Sequence, residues 1–474
     1  MSGRDSQQAD PSAVEEITRR MQRAALPPLA IRAFLNLYGR LAAGDTGCVP
    51  GRSIAPPGPL AALDSLGDDA GAAALRRTVV IKLNGGLGTT MGLSRVKSLL
   101  TAREGIRFLD IVIGQALHLR RRSGNALPLI LMNSFSSHED TMRALDERAD
   151  LRAGQPGIPP AFLQHRVPKI RVDNFLPVDW PADPSREWCP PGHGDLYVAL
   201  QTTGLLEDLL ARGIEYAFVS NIDNLGATLS LPILGYFAER DLPFLMEVTA
   251  RTEADRKGGH LARHPDGRLL LRETAQCPAG EEDDFQDIAR YGFFNTNNLW
   301  VNLKALRSRL AACGGLLPLT MIVNRKQVDV RDPASPAVYQ IETAMGSAIS
   351  LFAGADALRV PRARFAPVKS TDDLLVLRSD AYTMDDAMQV SPARGRATPP
   401  VVKLDPAFFG SYDAFEERFA DGVPSLAECD SLVVEGDVRF GRNVRVKGRA
   451  EIRNRSRRPL RIADGAEISG TLSE

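Results

Sequence analysis

The chain has 474 residues, 44% of them hydrophobic and 24% charged, and its 58 Lys and Arg balance its 58 Asp and Glu. These are ordinary globular values that suggest two or three domains and exclude wholesale disorder. Zero net charge argues against a dedicated nucleic-acid or membrane-surface binder. Residues Met1 to Pro11 lack the apolar core of a secretion signal, and no apolar run reaches the roughly 18 residues of a membrane span. Cys48, Cys189, Cys277, Cys313 and Cys429 are scattered and form no CxxC pair. That pattern disfavours a disulfide framework or a zinc site and points to a reducing cytoplasm.

Residues 1–75 form an opening helical region. Val14, Ile17 and Met21 repeat at helical spacing, as do Ile31, Phe34, Leu35, Tyr38 and Leu41, which predicts two helices packed as a flank. The stretch from Gly44 to Gly71, rich in Pro, Gly and Asp, reads as a connecting loop. Residues 76–395 then alternate apolar β runs with helical stretches. Strands are predicted at Thr78–Leu83, Leu127–Met132, Tyr216–Ser220, Phe244–Thr249 and Leu299–Leu303. Apolar strands separated by helices indicate an α/β fold with a mostly parallel sheet covered on both faces. Ligands in such sheets sit beyond the carboxyl ends of the strands. Asp380–Thr398 reads as a linker into a tail, residues 400–474. There Val434, Val438, Val444, Val446, Ile452, Ile462 and Ile468 are interleaved with glycines at spacings near six, which fits turns of a β-helix or a small irregular β appendage.

Five strings carry chemistry. Lys82-Leu83-Asn84-Gly85-Gly86-Leu87-Gly88-Thr89-Thr90-Met91-Gly92, followed by Lys97, sets a glycine-rich turn directly after a strand. Such a turn lets backbone N–H groups approach an anion or a flat base, and a nearby Lys neutralises phosphate. It matches neither a Walker loop nor the GxGxxG fingerprint. Pro190-Pro191-Gly192-His193-Gly194-Asp195 holds a histidine between two glycines. In Ser220-Asn221-Ile222-Asp223-Asn224 a carboxylate follows an apolar strand, well placed for Mg2+ or for a helix cap. Asn295-Thr296-Asn297-Asn298 offers amides to sugar hydroxyls and equally suits a turn. Pro367-Val368-Lys369 precedes a helix start at Thr371 or Asp372, although an isolated Lys is ordinarily solvated surface.

In this order, from about Val79 to Tyr382, the strings resemble the eukaryotic-type UTP–glucose-1-phosphate uridylyltransferase family, also called UDP-glucose pyrophosphorylases. Leu131-Met132-Asn133-Ser134-Phe135, Gln164 ahead of Pro168, Met246-Glu247-Val248-Thr249 and Lys257-Gly258-Gly259 extend the match. The resemblance implies a GT-A-like, Rossmann-like nucleotidyltransferase domain with a mixed, mostly parallel sheet, and a left-handed β-helix at the C-terminus. It implies that Leu83, Gly85, Gly86, Gln164 and Gly192 hold the nucleotide and that Asp223 holds Mg2+ at its phosphates. Lys97 and Lys369 would be the catalytic cations. His193, Asn221, Gly259 and Asn297 would line the glucose 1-phosphate side.

One segment departs from the family. Where its members read Met-Gly-Cys-Lys-Gly-Pro-Lys, this chain reads Met91-Gly92-Leu93-Ser94-Arg95-Val96-Lys97. The final Lys keeps its spacing, but a Lys and the Gly-Pro kink are gone.

The implied reaction is in-line attack by a phosphate oxygen of glucose 1-phosphate on the α-phosphorus of UTP, with pyrophosphate leaving. That nucleophile is already an anion, so charge compensation and geometry are the demands on the protein. The alternatives are a sister enzyme for N-acetylglucosamine 1-phosphate, a nucleotide-sugar-binding regulator without catalysis, and a scaffold. The tail is the candidate surface for homo-oligomer assembly.

Overall fold

The computed structural model describes residues 10–67, 71–86, 88, 91–92, 96–153, 155–329, 332–395 and 398–474. Leu87, Thr89 and Thr90 of the glycine loop and the altered Leu93-Ser94-Arg95 segment lie outside the described residues.

Helix α1 (Pro11–Arg23) is capped by the Asp10 side chain, and α2 (Pro28–Ala42) begins on a proline, which suits the first helical turn. Their apolar stripes bury Ile17, Met21, Phe34 and Tyr38 against Val167, Ile170, Met321 and Ile341. The flank predicted from periodicity is therefore one small core shared with the central region.

The central sheet follows the order β1 (Ala61–Ala62), β8 (Asp356–Arg359), β6 (Phe244–Ala250), β7 (Phe293–Asn302), β5 (Tyr216–Asn221), β2 (Thr78–Asn84), β3 (Leu129–Asn133), β4 (Ala161–Leu163). A hairpin, His260–Arg263 with Leu269–Arg272, branches from β7. All seven residues of β2 are buried, as expected for a strand with helices on both faces. The predicted strands are present within one or two residues, except the last. It runs from Phe293 and lies antiparallel to both β6 and β5, while the other neighbours on this path are parallel. The reversal has a local cause: the hairpin after β6 turns the chain back beside its own strand. The asparagine string thus lies inside a strand rather than before one. A register shift opposite Glu247/Val248 makes a bulge there, and Asn297 takes φ +57.

Two loops carry more structure than their composition suggested. The Gly44–Gly71 stretch supplies the edge strand β1, and the Asp380–Thr398 linker folds into a hairpin of Tyr382–Met384 with Val390–Pro392. Both are short pairings that local composition does not announce.

In the tail, β9 (Val401–Leu404), β10 (Ser425–Glu435), β12 (Arg445–Arg453) and β14 (Glu467–Ser473) pair in parallel, as do β11 (Val438–Phe440) and β13 (Leu460–Ile462). Leu432 faces Ala450, and Val438 faces Leu460, so the chain stacks on itself about every twenty residues. The seven apolar residues singled out in the sequence are all buried inside this stack.

Candidate active site

Four parallel strands, β2 to β5, end at one rim, and the loops that leave them enclose a cavity of about 270 Å3. Leu83, Gly85 and Gly86 come from the end of β2, Gln164 from beyond β4, and Asn221 and Asp223 from the end of β5. Lys97, Gly192 and His193 complete the wall. Nine predicted residues from five chain segments thus converge.

Main-chain contacts fix the glycine side. The Ser134 hydroxyl donates to Gly85 O at 3.0 Å, and Lys97 N donates to Gly86 O at 3.2 Å. A side chain at Gly86 would meet only open space, so the cavity face there is bare backbone. Gln164 Nε2 donates to Gly192 O at 2.7 Å. Gly192 has φ +78 and ψ 168, and a Cβ there would lie 2.4 Å from Thr343 O. Only glycine fits that backbone and that approach.

The charged groups are few. Lys97 Nζ donates to Asp223 Oδ2 at 2.6 Å, an ion pair at the mouth of the glycine turn. His193 Nδ1 accepts the N–H of Met345 at 2.9 Å, so its ring proton sits on Nε2. Burial holds that imidazole's pKa down to about 4. At neutral pH His193 is an uncharged hydrogen-bond donor. Under the β5 rim, Lys82 Nζ donates to Ser220 Oγ (2.8 Å) and Ala227 O (2.6 Å), which ties the two ends of the Asp223 loop. Burial, followed by the neighbouring Arg364 guanidinium, lowers the Lys82 pKa to about 7. Its role was not read from the sequence, although a lysine amid apolar strand residues was the available signal.

Lys369 lies elsewhere. It lines a second cavity of about 430 Å3 with Lys257, Phe294, Arg362, Asp373 and Tyr382. The two cavities meet across one strap, where Val368 N donates to Asp223 O at 3.3 Å. Asp373 accepts the backbone N–H groups of Lys369 (2.7 Å) and Ser370 (2.9 Å) in a capping box for the helix Thr371–Arg378. Gly259 and Asn297 line neither cavity. Gly259 packs under Glu273, whose Oε2 would lie 2.4 Å from a Cβ at that position. Burial raises the Glu273 pKa, opposed by the charge of Lys369.

The asparagine string divides in its duties. Asn298 Nδ2 donates to Glu247 Oε2 at 3.0 Å, and Glu247, fully buried, also accepts from Trp300 Nε1 at 3.0 Å and from Arg364 at 2.7 Å. Asn295 and Asn297 bond each other. A buried acid thus uses Asn298 as a partner, which removes that amide from the sugar side. Asn224 joins this network to the strap, donating to Arg364 O at 3.1 Å and accepting from Ala366 N at 2.9 Å.

Asp223 is the one carboxylate in the first cavity's wall, and no group of three or more potential metal ligands occurs among the described residues. A hard divalent ion that takes one carboxylate and completes its shell with phosphate oxygens and water fits such a donor set.

Comparison with known proteins agrees with this geometry. Residues 32–447 match the family model described as UTP–glucose-1-phosphate uridylyltransferase. The enzyme of that name from Hordeum vulgare is 41% identical over 426 residues, covering 90% of this chain and 86% of the relative. A variant of the UDP-glucose pyrophosphorylase from Leishmania major, solved in complex with UDP-glucose, superposes with a TM-score of 0.92 at 42% identity, over 98% of this chain and 100% of that one. The Trypanosoma brucei structure gives 0.91 at 44%, with coverage of 98% and 100%. The chain belongs to the UTP–glucose-1-phosphate uridylyltransferase family.

Proposed function

We propose that this protein transfers UMP from UTP to glucose 1-phosphate, giving UDP-glucose and pyrophosphate. The observation that carries the proposal is the Lys97–Asp223 pair set against bare glycine backbone at the rim of β2 and β5. A cation, a carboxylate and exposed N–H groups are what a triphosphate and its counter-ion need in order to be held.

In this reading the backbone at Gly85, Gly86 and Gly192, with Gln164 and the side of Leu83, seats the uracil and ribose. Asn221 and the Nε2–H of His193 face the sugar phosphate, with Gly259 and Asn297 on the sugar side. A histidine whose pKa is about 4 is unsuited to proton transfer at neutral pH, which agrees with a reaction that needs no general base. Asp223 would hold Mg2+, which when bound supplies positive charge at the phosphates. Lys97 and Lys369 offset charge from two sides of the α-phosphorus, and in-line geometry follows from fixing donor and acceptor in adjoining cavities. The tail is proposed to be a left-handed β-helix, supported by its parallel stacking and inward apolar residues. Its last strand, β14, carries the exposed Leu472 and is a surface for homo-oligomer contact. Light scattering on a chain ending near Thr398 tests this. Five free thiols suit the cytoplasm.

The test mixes the protein with UTP, Mg2+ and glucose 1-phosphate and follows pyrophosphate release. Parallel reactions replace the sugar with galactose 1-phosphate or N-acetylglucosamine 1-phosphate, and the nucleotide with ATP, GTP or TTP. Fast release confined to UTP with glucose 1-phosphate is the expected result. Release with none of the pairs would overturn the proposal.

A further inference from the structure

We infer that His165 and Asp195 form a buried clamp that positions the nucleotide-facing wall of the cavity. This rests on the nucleotide site proposed above. Asp195 stands at the N-cap of helix α3 (Leu196–Thr202), where an aspartate ordinarily accepts from the helix's own first N–H groups. It makes no such bond. Its carboxylate instead accepts the backbone N–H of His165 at 2.8 Å and faces His165 Nδ1 at 3.0 Å from each oxygen. An imidazole nitrogen facing a carboxylate carries its hydrogen, so two N–H groups converge on one buried acid. The other ring nitrogen, Nε2, lies 3.1 Å from Thr202 Oγ1. The ring therefore spans α3, bonded at the residue before its first turn and at its last residue. Asp195 and His165 are only 6% and 8% exposed.

The neighbours of the clamped residues are the ones that matter. Gln164 is bonded through its own N–H to Asn133 O at 2.7 Å and through Nε2 to Gly192 O. Asp195 N donates to the same Gly192 O at 3.2 Å. Gln164, Gly192 and the adjacent His193 thus hang from a frame that closes through His165 and Asp195. Gly192 and Gly194 of the same loop pack closely on Thr343. Beside that contact lies a cavity of about 490 Å3, walled by His165 and Asp195 themselves, by Pro191 and Gly194 of the loop, and by Phe34 and Leu37. Packing on Thr343 thus holds one side of the loop, and the bonds of the clamp hold the side that borders this cavity. Neither His165 nor Asp195 lines the first cavity, so both are positioning residues.

The experiment compares wild type, Asp195→Asn and Thr202→Val by steady-state kinetics against each substrate, by calorimetric UTP binding and by melting temperature. Asn at 195 keeps the shape but replaces one acceptor oxygen with a donor that opposes Nδ1–H. The expected result is a rise of about tenfold in both KM and Kd for UTP, the order expected when one hydrogen bond to a charged group is lost. The kcat and the KM for glucose 1-phosphate stay within about twofold, and Thr202→Val shows a smaller shift of the same kind. A merely structural role would lower the melting temperature and the active fraction, reducing kcat while leaving the UTP KM unchanged. That outcome overturns the inference, as does an equal rise in both KM values. If Asp195→Asn does not fold, Thr202→Val decides by the same criteria. Failure of the proposed reaction is separately visible: wild type would release no pyrophosphate, while UTP binding would still report on the clamp.

Discussion

The two cavities at the sheet's rim are built differently. The first is walled by backbone at Gly85, Gly86 and Gly192, and its charges, Lys97 and Asp223, are already bonded to each other. The second is walled by side chains, with Lys257, Arg362 and Lys369 set against Asp255 and Asp373. A wall of backbone holds its shape because no rotamer can turn away, whereas long cationic side chains adapt. Substitutions in the first cavity should therefore act steeply, and those in the second by degrees.

The largest effect is expected from Lys97→Ala. It removes a phosphate-facing cation and leaves the half-buried Asp223 carboxylate without its partner. Loss of about 10³ in kcat/KM for pyrophosphate release is the expected outcome. Lys369→Ala should follow with a loss of about 10² in kcat, because Lys369 is exposed and neighbouring cations share its cavity. Equal losses in the two variants would break the distinction between the cavities, and near-full kcat in Lys369→Ala would remove that residue from the chemistry.

Gly192→Ala sharpens the same comparison through the backbone. Alanine would have to adopt φ +78 and ψ 168 with its Cβ 2.4 Å from Thr343 O. A cost of about 1–3 kcal/mol in urea-unfolding free energy is expected from the backbone alone, together with a higher KM for UTP. Unchanged stability would mean that the Pro190–Asp195 loop relaxes at no cost, and that the first cavity is less fixed than its main chain suggests.

The first cavity was legible in the sequence because its parts are strings. Glycines directly after β2 and polar residues directly after β5 announce a rim without any tertiary information. The second was not, because Lys257, Phe294, Arg362 and Tyr382 are far apart in the chain and meet only after β7 reverses direction. Burial was equally hidden. The Asn295–Asn298 string suits sugar contacts or a turn equally, and only the buried Glu247 shows that Asn298 serves as its partner, while Asp195 stands in the sequence as the end of a motif rather than the partner of His165. Apolar periodicity gave the flank helices and the inward residues of the tail, since period and burial are the same physical fact there.

The smallest expected effect is on the pH dependence of stability and tests whether a buried histidine outside both cavities leaves the reaction untouched. Burial lowers the His193 pKa to about 4, and burial with the nearby Arg251 charge lowers that of His260 to about 3. The unfolded chain would protonate both near 6.5. As pH falls below that value the unfolded state binds protons that the folded imidazoles refuse, so stability drops steadily down to the folded values. His260 is fully buried, stacked on the Tyr291 ring at 4.1 Å, and lines neither cavity. His260→Phe removes one such titration without touching the site. The melting temperature of this variant should fall less than that of wild type between pH 7 and 5, while kcat at pH 7 stays the same. Parallel melting curves for the two proteins would mean that His260 is protonated in the fold, in which case Nε2 would need an acceptor, whereas the ring's one acceptor, Leu261 O at 3.5 Å, faces Nδ1.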